Sequence, residues 1–137
     1  MESKDIQKIV YDEEDIFGKS LGEDFLKKEL ENPIARYFVI EDQLLIGYIG
    51  LRVLGDNAEV LNLYIEKKNQ GRGYGCKLFS YAINRLKEEN VKSLSLEVRK
   101  SNLRAINMYE KFGLKACYER KNYYQDNEDA ILMIGVI

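Results

Sequence analysis

A chain of 137 residues, 45% hydrophobic and 32% charged, is long enough to bury one sizeable core and has no block of like charge that reads as a disordered tail. Its net charge of −2, from 21 basic and 23 acidic side chains, excludes a uniformly basic nucleic-acid footprint. Glu2, Lys4, Asp5 and Lys8 interrupt the first ten residues, which excludes a signal-peptide core or membrane span there, so the expectation is a single cytoplasmic domain over 1–137, a monomer or weak dimer.

Asp5 to Tyr11 reads as a short edge strand around Ile6, Ile9 and Val10. From Asp12 to Glu31 the apolar residues Ile16, Phe17, Leu21, Phe25, Leu26 and Leu30 predict two short helices broken near Gly18 to Gly22, the second stopped at Asn32-Pro33. Arg36–Ile40 and Leu44–Leu54 read as a hairpin joined by Glu41-Asp42-Gln43. Gly55-Asp56-Asn57 then turns the chain into a third strand, Ala58–Ile65.

After a polar, glycine-rich stretch, Leu78, Phe79, Ala82, Ile83 and Leu86 mark a helix ended by Asn90. Ser93–Val98 alternates leucines and valine against Ser93, Ser95 and Glu97, so Glu97 points away from the core face. Ser101-Asn102 offers an N-cap to a helix carrying Leu103, Ile106, Tyr109 and Phe112, closed by Gly113. Leu114–Tyr124 and Ala130–Ile137 are the last strands, with a turn at Asp126-Asn127-Glu128. This order predicts a mixed α/β sheet with flanking helices.

Histidine is absent, which removes the commonest general base, the usual partner of a Ser or Cys nucleophile, and most zinc sites, so no metal is expected. Acid-base work then falls to Asp, Glu, Tyr, Lys, Cys or a water. Cys76 and Cys117 match no metal-ligand spacing and read as reduced packing thiols. Gln70-Gly71-Arg72-Gly73-Tyr74-Gly75 stands between a strand and the clearest helix, where free backbone N–H groups and the helix dipole favour an anion such as a pyrophosphate. The spacing of Gly73 and Gly75 fails the dinucleotide fingerprint, and Gly75-Cys76-Lys77 fails the P-loop. Taken alone, the stretch also reads as a flexible connection.

In its context, Gln70-x-x-Gly73-x-Gly75 resembles the coenzyme A pyrophosphate loop of the GNAT acetyltransferase superfamily. Leu96-Glu97-Val98-Arg99-Lys100-Ser101-Asn102, Ala105 to Gly113, Arg120 to Tyr124 and Glu128 to Met133 are similar to the subgroup that acetylates ribosomal-protein alanine. The resemblance runs from about Leu61 to the C-terminus. It implies a mostly antiparallel sheet of six to seven strands with splayed middle strands, about four flanking helices, and acetyl-coenzyme A as co-substrate.

It further implies that Leu63, Tyr64 and Ile65 contact the pantetheine arm, with a backbone N–H there stabilising the oxyanion, and that Gln70, Gly71, Arg72, Gly73, Tyr74, Gly75 and Cys76 hold the phosphates. Glu97 would accept the amine proton and Tyr109 would protonate the departing thiolate; without the resemblance, Glu97 is a polar-face residue and Tyr109 a core residue. Asn102 reads equally as an N-cap or a coenzyme contact, and Glu59 is a second candidate base.

The implied acceptor is a protein N-terminus such as that of a ribosomal protein, whose α-amine, with an ordinary pKa of about 8, needs only modest help to lose its proton. Phe17-Gly18-Lys19-Ser20 stands where the subgroup has Phe-Pro-Trp-Ser, and the chain has no tryptophan. Two other readings stay open: an enzyme for a polyamine or aminoglycoside, with Asp12 to Asp15 lining an acidic cleft, and a non-catalytic acyl-coenzyme A binding module.

Overall fold

A computed structural model describes residues 1–137. The chain forms α1 (Ile6–Phe17), α2 (Glu23–Glu31), β1 (Ala35–Asp42), β2 (Leu44–Leu54), β3 (Asn57–Ile65), α3 (Tyr74–Glu88), β4 (Ser93–Arg99), α4 (Leu103–Lys111), β5 (Lys115–Arg120) and β6 (Ala130–Val136). The six strands make one sheet in the order β1-β2-β3-β4-β6-β5. β1/β2, β4/β6 and β5/β6 run antiparallel. Only two residues link β2 to its neighbour β3, which leaves no room for a parallel crossover.

β3 and β4 form the parallel pair, and its register covers only Asn57–Glu59 against Ser93–Ser95. No residue of β3 beyond Glu59 has a ladder partner in β4. The mixed sheet, its mostly antiparallel pairing and the four helices agree with the architecture expected from sequence.

Two compact units make up the chain. The first joins Met1–Arg52 to Leu61–Asn84; the second joins Val53–Val60 to Arg85–Ile137. In the first, Ile6, Ile9, Leu26, Leu45, Tyr48 and Tyr64 make a buried cluster. β2 is buried continuously from Leu45 to Leu51, as its unbroken apolar run requires of a strand covered on both faces. Gly47 is needed there: a Cβ at that position would collide with the Tyr64 carbonyl and Ile65 of β3. In the second unit Leu94, Leu96 and Val98 of β4 are buried together with Tyr109, Leu114 and Met133. Each such side chain contributes about 1.5 to 3 kcal/mol.

Four expectations change. The segment 5–11 is helical rather than an edge strand: a one-turn 3₁₀ segment at Ser3–Asp5, closed by a Glu2/Asp5 capping box, leads directly into α1. α3 begins at Tyr74, so Gly75 and Cys76 lie in its first turn and not in the loop. β5 ends at Arg120, four residues before the expected Tyr124, where Asn122 turns left-handed (φ 53°) and gives its N–H to the Asp129 side chain. Both cysteines are free as expected, but both are exposed and neither is a packing residue.

Candidate active site

In the first unit, the chain passes from β3 into α3 through Lys67 to Gly73, with Gly71 and Gly73 both left-handed (φ 82° and 83°). A side chain would be strained there by the backbone itself, since open space surrounds Gly73. The Lys77 N–H donates to the Gly73 carbonyl, the first bond of α3, so the N–H groups preceding it have no acceptor within the helix. With the dipole of a 15-residue helix behind them, these amides suit a phosphate, and the residues present fit a coenzyme pyrophosphate.

The expected coenzyme contacts are not all free for that role. The Gln70 amide donates to the Ile65 carbonyl (2.9 Å), which holds the loop against the end of β3. The Tyr64 side chain is buried with its hydroxyl donated to Asp12 (2.9 Å), leaving only its backbone available to a ligand. The Leu63 N–H is taken by its neighbour Asn62 Oδ1 (3.0 Å). Arg72 and Cys76 are exposed beside the helix start.

Of the acidic run after Tyr11, Asp12 and Glu13 turn inward, while Glu14 and Asp15 are exposed. Glu13 is 1% exposed and accepts from Tyr48 Oη (2.9 Å), Asn62 Nδ2 (2.5 Å) and Ser20 Oγ (2.8 Å). Asp12 pairs with Lys8 (2.6 Å) and Tyr64, and Lys8 also binds Glu66 (2.8 Å). Burial, and then these carboxylates, push the Tyr48 and Tyr64 phenols well above the ordinary tyrosine range. Asp12 and Glu13 are therefore structural, and the acidic cleft expected for a small polyamine is not built from them.

In the second unit, the alternation of β4 puts Ser93, Ser95, Glu97 and Arg99 on the face opposite Leu94, Leu96 and Val98. The Glu97 side chain is 17% exposed, and its Oε2 is buried without a hydrogen-bond partner. Arg120 Nε stands 3.6 Å away, close enough for charge attraction and too far for a hydrogen bond. The Tyr123 phenol is raised above its ordinary pKa by burial, then by the charge of Glu97 and a hydrogen bond to it. An acceptor oxygen held dry and incompletely paired costs about 1 to 3 kcal/mol and keeps a lone pair to offer; Glu29 Oε2, bound through its other oxygen to Arg52, is a second one.

Tyr109 lies on α4, 7% exposed, and burial followed by the nearby Tyr124 pushes its pKa up to about 12. Asn102 caps α4, its side chain accepting from the Ala105 N–H (3.2 Å), which supports the capping reading. Glu59 is exposed on β3, opposite Ser95 in the ladder. Arg99, Arg120, Tyr123 and Tyr124 gather beside Glu97 and Tyr109, although none of the four was an expected site residue. The adjacent tyrosines in an otherwise polar stretch were the available signal.

A mixed sheet whose one parallel pair stops after three residues, with a glycine turn feeding a helix N-terminus, describes an acyl-coenzyme A transferase framework. Residues 5–114 match the Acetyltransferase (GNAT) family, and the chain belongs to that family. It is an acetyltransferase, and the family's acetyl donor is acetyl-coenzyme A.

The chain is 45% identical over 111 residues, 80% of its length and 74% of the relative's, to a Bacillus subtilis (strain 168) protein provisionally named ribosomal protein bS18-alanine N-acetyltransferase. It is 33% identical over 111 residues to the enzyme of that name from Haemophilus ducreyi, covering 76% of this chain and 77% of the relative. The crystal structure of the Escherichia coli ribosomal-protein-S18-alanine N-acetyltransferase superposes with a TM-score of 0.91 at 28% identity, covering 100% of this chain and 90% of that one. No helix of this chain is long and apolar enough to cross a membrane.

Proposed function

We propose that the chain, acting as one domain, acetylates the N-terminal α-amine of a protein beginning with alanine, a ribosomal protein of the bS18 type, by direct attack of the amine on the thioester. The observation that carries this reading is Glu97 Oε2, buried and without a hydrogen-bond partner on the polar face of β4. The names of the relatives support the acceptor class. A ribosomal acceptor places the enzyme in the cytoplasm.

Acetyl-coenzyme A supplies the activated acetyl group, and the chain's residues bind, orient and move protons. The amides at the start of α3 and the glycines before them receive the phosphates. The pantetheine arm would lie along the backbone of Leu63 to Ile65, in the part of β3 without a ladder partner in β4, using groups other than the Leu63 N–H held by Asn62 and the Ile65 carbonyl held by Gln70. Glu97 takes the proton of the attacking amine, directly or through a water. The acceptor amine needs little shift, so a carboxylate suffices in a chain without histidine.

In this reading Tyr109 is the donor to the leaving sulfur. With a pKa of about 12 it keeps its proton at neutral pH. Full transfer to a thiolate of ordinary pKa about 8.5 is uphill, so the donated hydrogen bond in the transition state carries its effect, and the thiolate completes its protonation from solvent.

The test is free-thiol release on a panel of peptides and amines. The expected result is turnover of an alanine-first peptide at least about tenfold faster, as kcat/KM, than of the same peptide with a blocked or bulky N-terminus, and than of spermidine. Faster turnover of the polyamine, or coenzyme binding without turnover of any amine, overturns the reading.

A further inference from the structure

Arg99 closes β4 two residues after Glu97, on the same face of the strand. Its guanidinium gathers one loop from three directions. Nη1 contacts Asp126 (2.8 Å) and Glu128 (3.0 Å), and the carbon of the guanidinium lies 4.1 Å from the centre of the Tyr124 ring. The other Glu128 oxygen accepts the Ser101 N–H (3.1 Å), and the Lys100 N–H donates to the Asp129 carbonyl (3.0 Å). The connection 121–129 between β5 and β6 is thereby tied along the end of β4 and the turn that follows it.

Exposed ion pairs are individually worth little, about 0 to 1 kcal/mol, so stability does not account for this arrangement. What it controls is position. Tyr123 reaches Glu97, and Tyr124 lies close enough to Tyr109 to raise its pKa, while the two rings pack edge to face at 5.0 Å. A planar cation can pair with two carboxylates and stack on a ring at once; a lysine ammonium is a point charge and cannot do both.

We propose that Arg99 is a positioning residue for the acceptor: by fixing the loop 121–129 it holds Tyr123 and Tyr124 as a wall beside Glu97 and Tyr109, against which the first residues of the acceptor peptide lie. The proposal rests on the reading of Glu97 and Tyr109 as the reacting pair. It assigns Arg99 to binding of the acceptor and not to the chemical step or to the coenzyme.

The experiment compares the parent with Arg99→Ala and Arg99→Lys, and repeats Arg99→Ala in a Tyr124→Ala background. KM is measured for both substrates on an alanine-first peptide, and amide hydrogen exchange is followed without substrates. Arg99→Ala is expected to raise the peptide KM about tenfold, with kcat and the acetyl-coenzyme A KM each within about threefold of the parent. Arg99→Lys should recover only a minor part of the loss, and Arg99→Ala should add little once Tyr124 is gone.

A peptide KM within twofold of the parent, or an acetyl-coenzyme A KM that rises in step with it, overturns the proposal. If the parent itself turns over no peptide, the acceptor reading fails separately, and exchange decides the role of Arg99. Faster exchange confined to 121–129 in Arg99→Ala then upholds its positioning role, and parent-like exchange overturns it.

Discussion

In the unit of Met1–Arg52 and Leu61–Asn84, the carboxylates and phenols around Glu13 and Asp12 meet in the interior and are well paired: Glu13 receives three donors, among them Tyr48, and Asp12 receives Lys8 and Tyr64, whereas Glu29 Oε2 of the same unit is buried without a hydrogen-bond partner. In the unit of Val53–Val60 and Arg85–Ile137 the same two groups meet at Glu97 and Tyr123, and one carboxylate oxygen is buried with no hydrogen bond at all. The chemistry of the pairs is alike, and what differs is saturation. A saturated carboxylate has its charge dispersed over fixed donors and little lone-pair capacity left for a substrate. An unsaturated one still has a lone pair to offer, and the fold tolerates its cost of about 1 to 3 kcal/mol.

The matched substitutions Glu97→Gln and Glu13→Gln break this comparison most sharply. At Glu97 the amide keeps the shape and loses the base, so turnover should fall by about 10² to 10⁴ while the melting temperature stays within about 2 °C. At Glu13 the amide points an N–H₂ at groups that are themselves donors. The loss should be about 2 to 4 kcal/mol, a fall of roughly 6 to 15 °C in melting temperature, with kcat near the parent's in the fraction that remains folded. Steady-state turnover beside thermal melts checks both. If Glu97→Gln keeps its rate, Glu59 becomes the base to test.

The same contrast shows why the sequence could be read only in part. Leu94, Leu96 and Val98 alternate with Ser93, Ser95 and Glu97, so β4 and the outward direction of Glu97 were legible from period alone. Only the second half of α1, from Asp12, was legible as helix; its first half was not, because Ile6, Ile9 and Val10 also suit an edge strand and the buried stripe continues onto Asp12 and Glu13. A reading by hydrophobicity cannot join the two halves into one repeat when acids occupy core positions, and it takes those acids for an acidic cleft. Their partners Tyr48, Asn62 and Tyr64 lie 35 or more positions along the chain, beyond any local pattern.

The end of β5 was hidden for a similar reason. Tyr123 and Tyr124 are good strand residues, and the bonds that pull them out of the ladder come from Asp129 and Arg99. The glycine turn before α3 was legible from its glycine content between a strand and a helix; the left-handed backbone of Gly71 and Gly73 is what the structure adds. Its boundary was not, since helix ends are set by backbone bonds such as Lys77 N–H to Gly73.

Tyr109→Phe probes the unit that holds Glu97 more gently. The ring remains to fill its place on α4, and the hydroxyl is lost. If that hydroxyl donates to the leaving thiolate, kcat should fall roughly 10- to 100-fold, with coenzyme affinity unchanged and stability altered by less than about 1 kcal/mol. Activity within a few-fold of the parent would reduce Tyr109 to a packing residue.

The smallest effect expected lies in the alkaline limb of stability, and it isolates one phenol. Burial raises Tyr109 from its ordinary value of 10.0 to about 12 in the folded chain. Because the folded pKa lies above the unfolded one, the stabilisation from keeping the phenol neutral is complete below pH 10 and is lost as pH rises from 10 toward 12. Tyr48 and Tyr64 are raised in the same direction, so the whole protein weakens in that range; the contribution of Tyr109 is the difference between the parent and Tyr109→Phe. The two unfolding curves should run parallel from pH 7 to 9.5. By pH 11 the parent should have lost about 1 kcal/mol more than the variant, roughly 3 °C in melting temperature. Parallel curves throughout would mean that Tyr109 ionises in the folded protein as freely as in the unfolded chain. A phenol that ionises so freely is not held dry and neutral at its place on α4, and its role as hydrogen-bond donor to the leaving thiolate would fall with it.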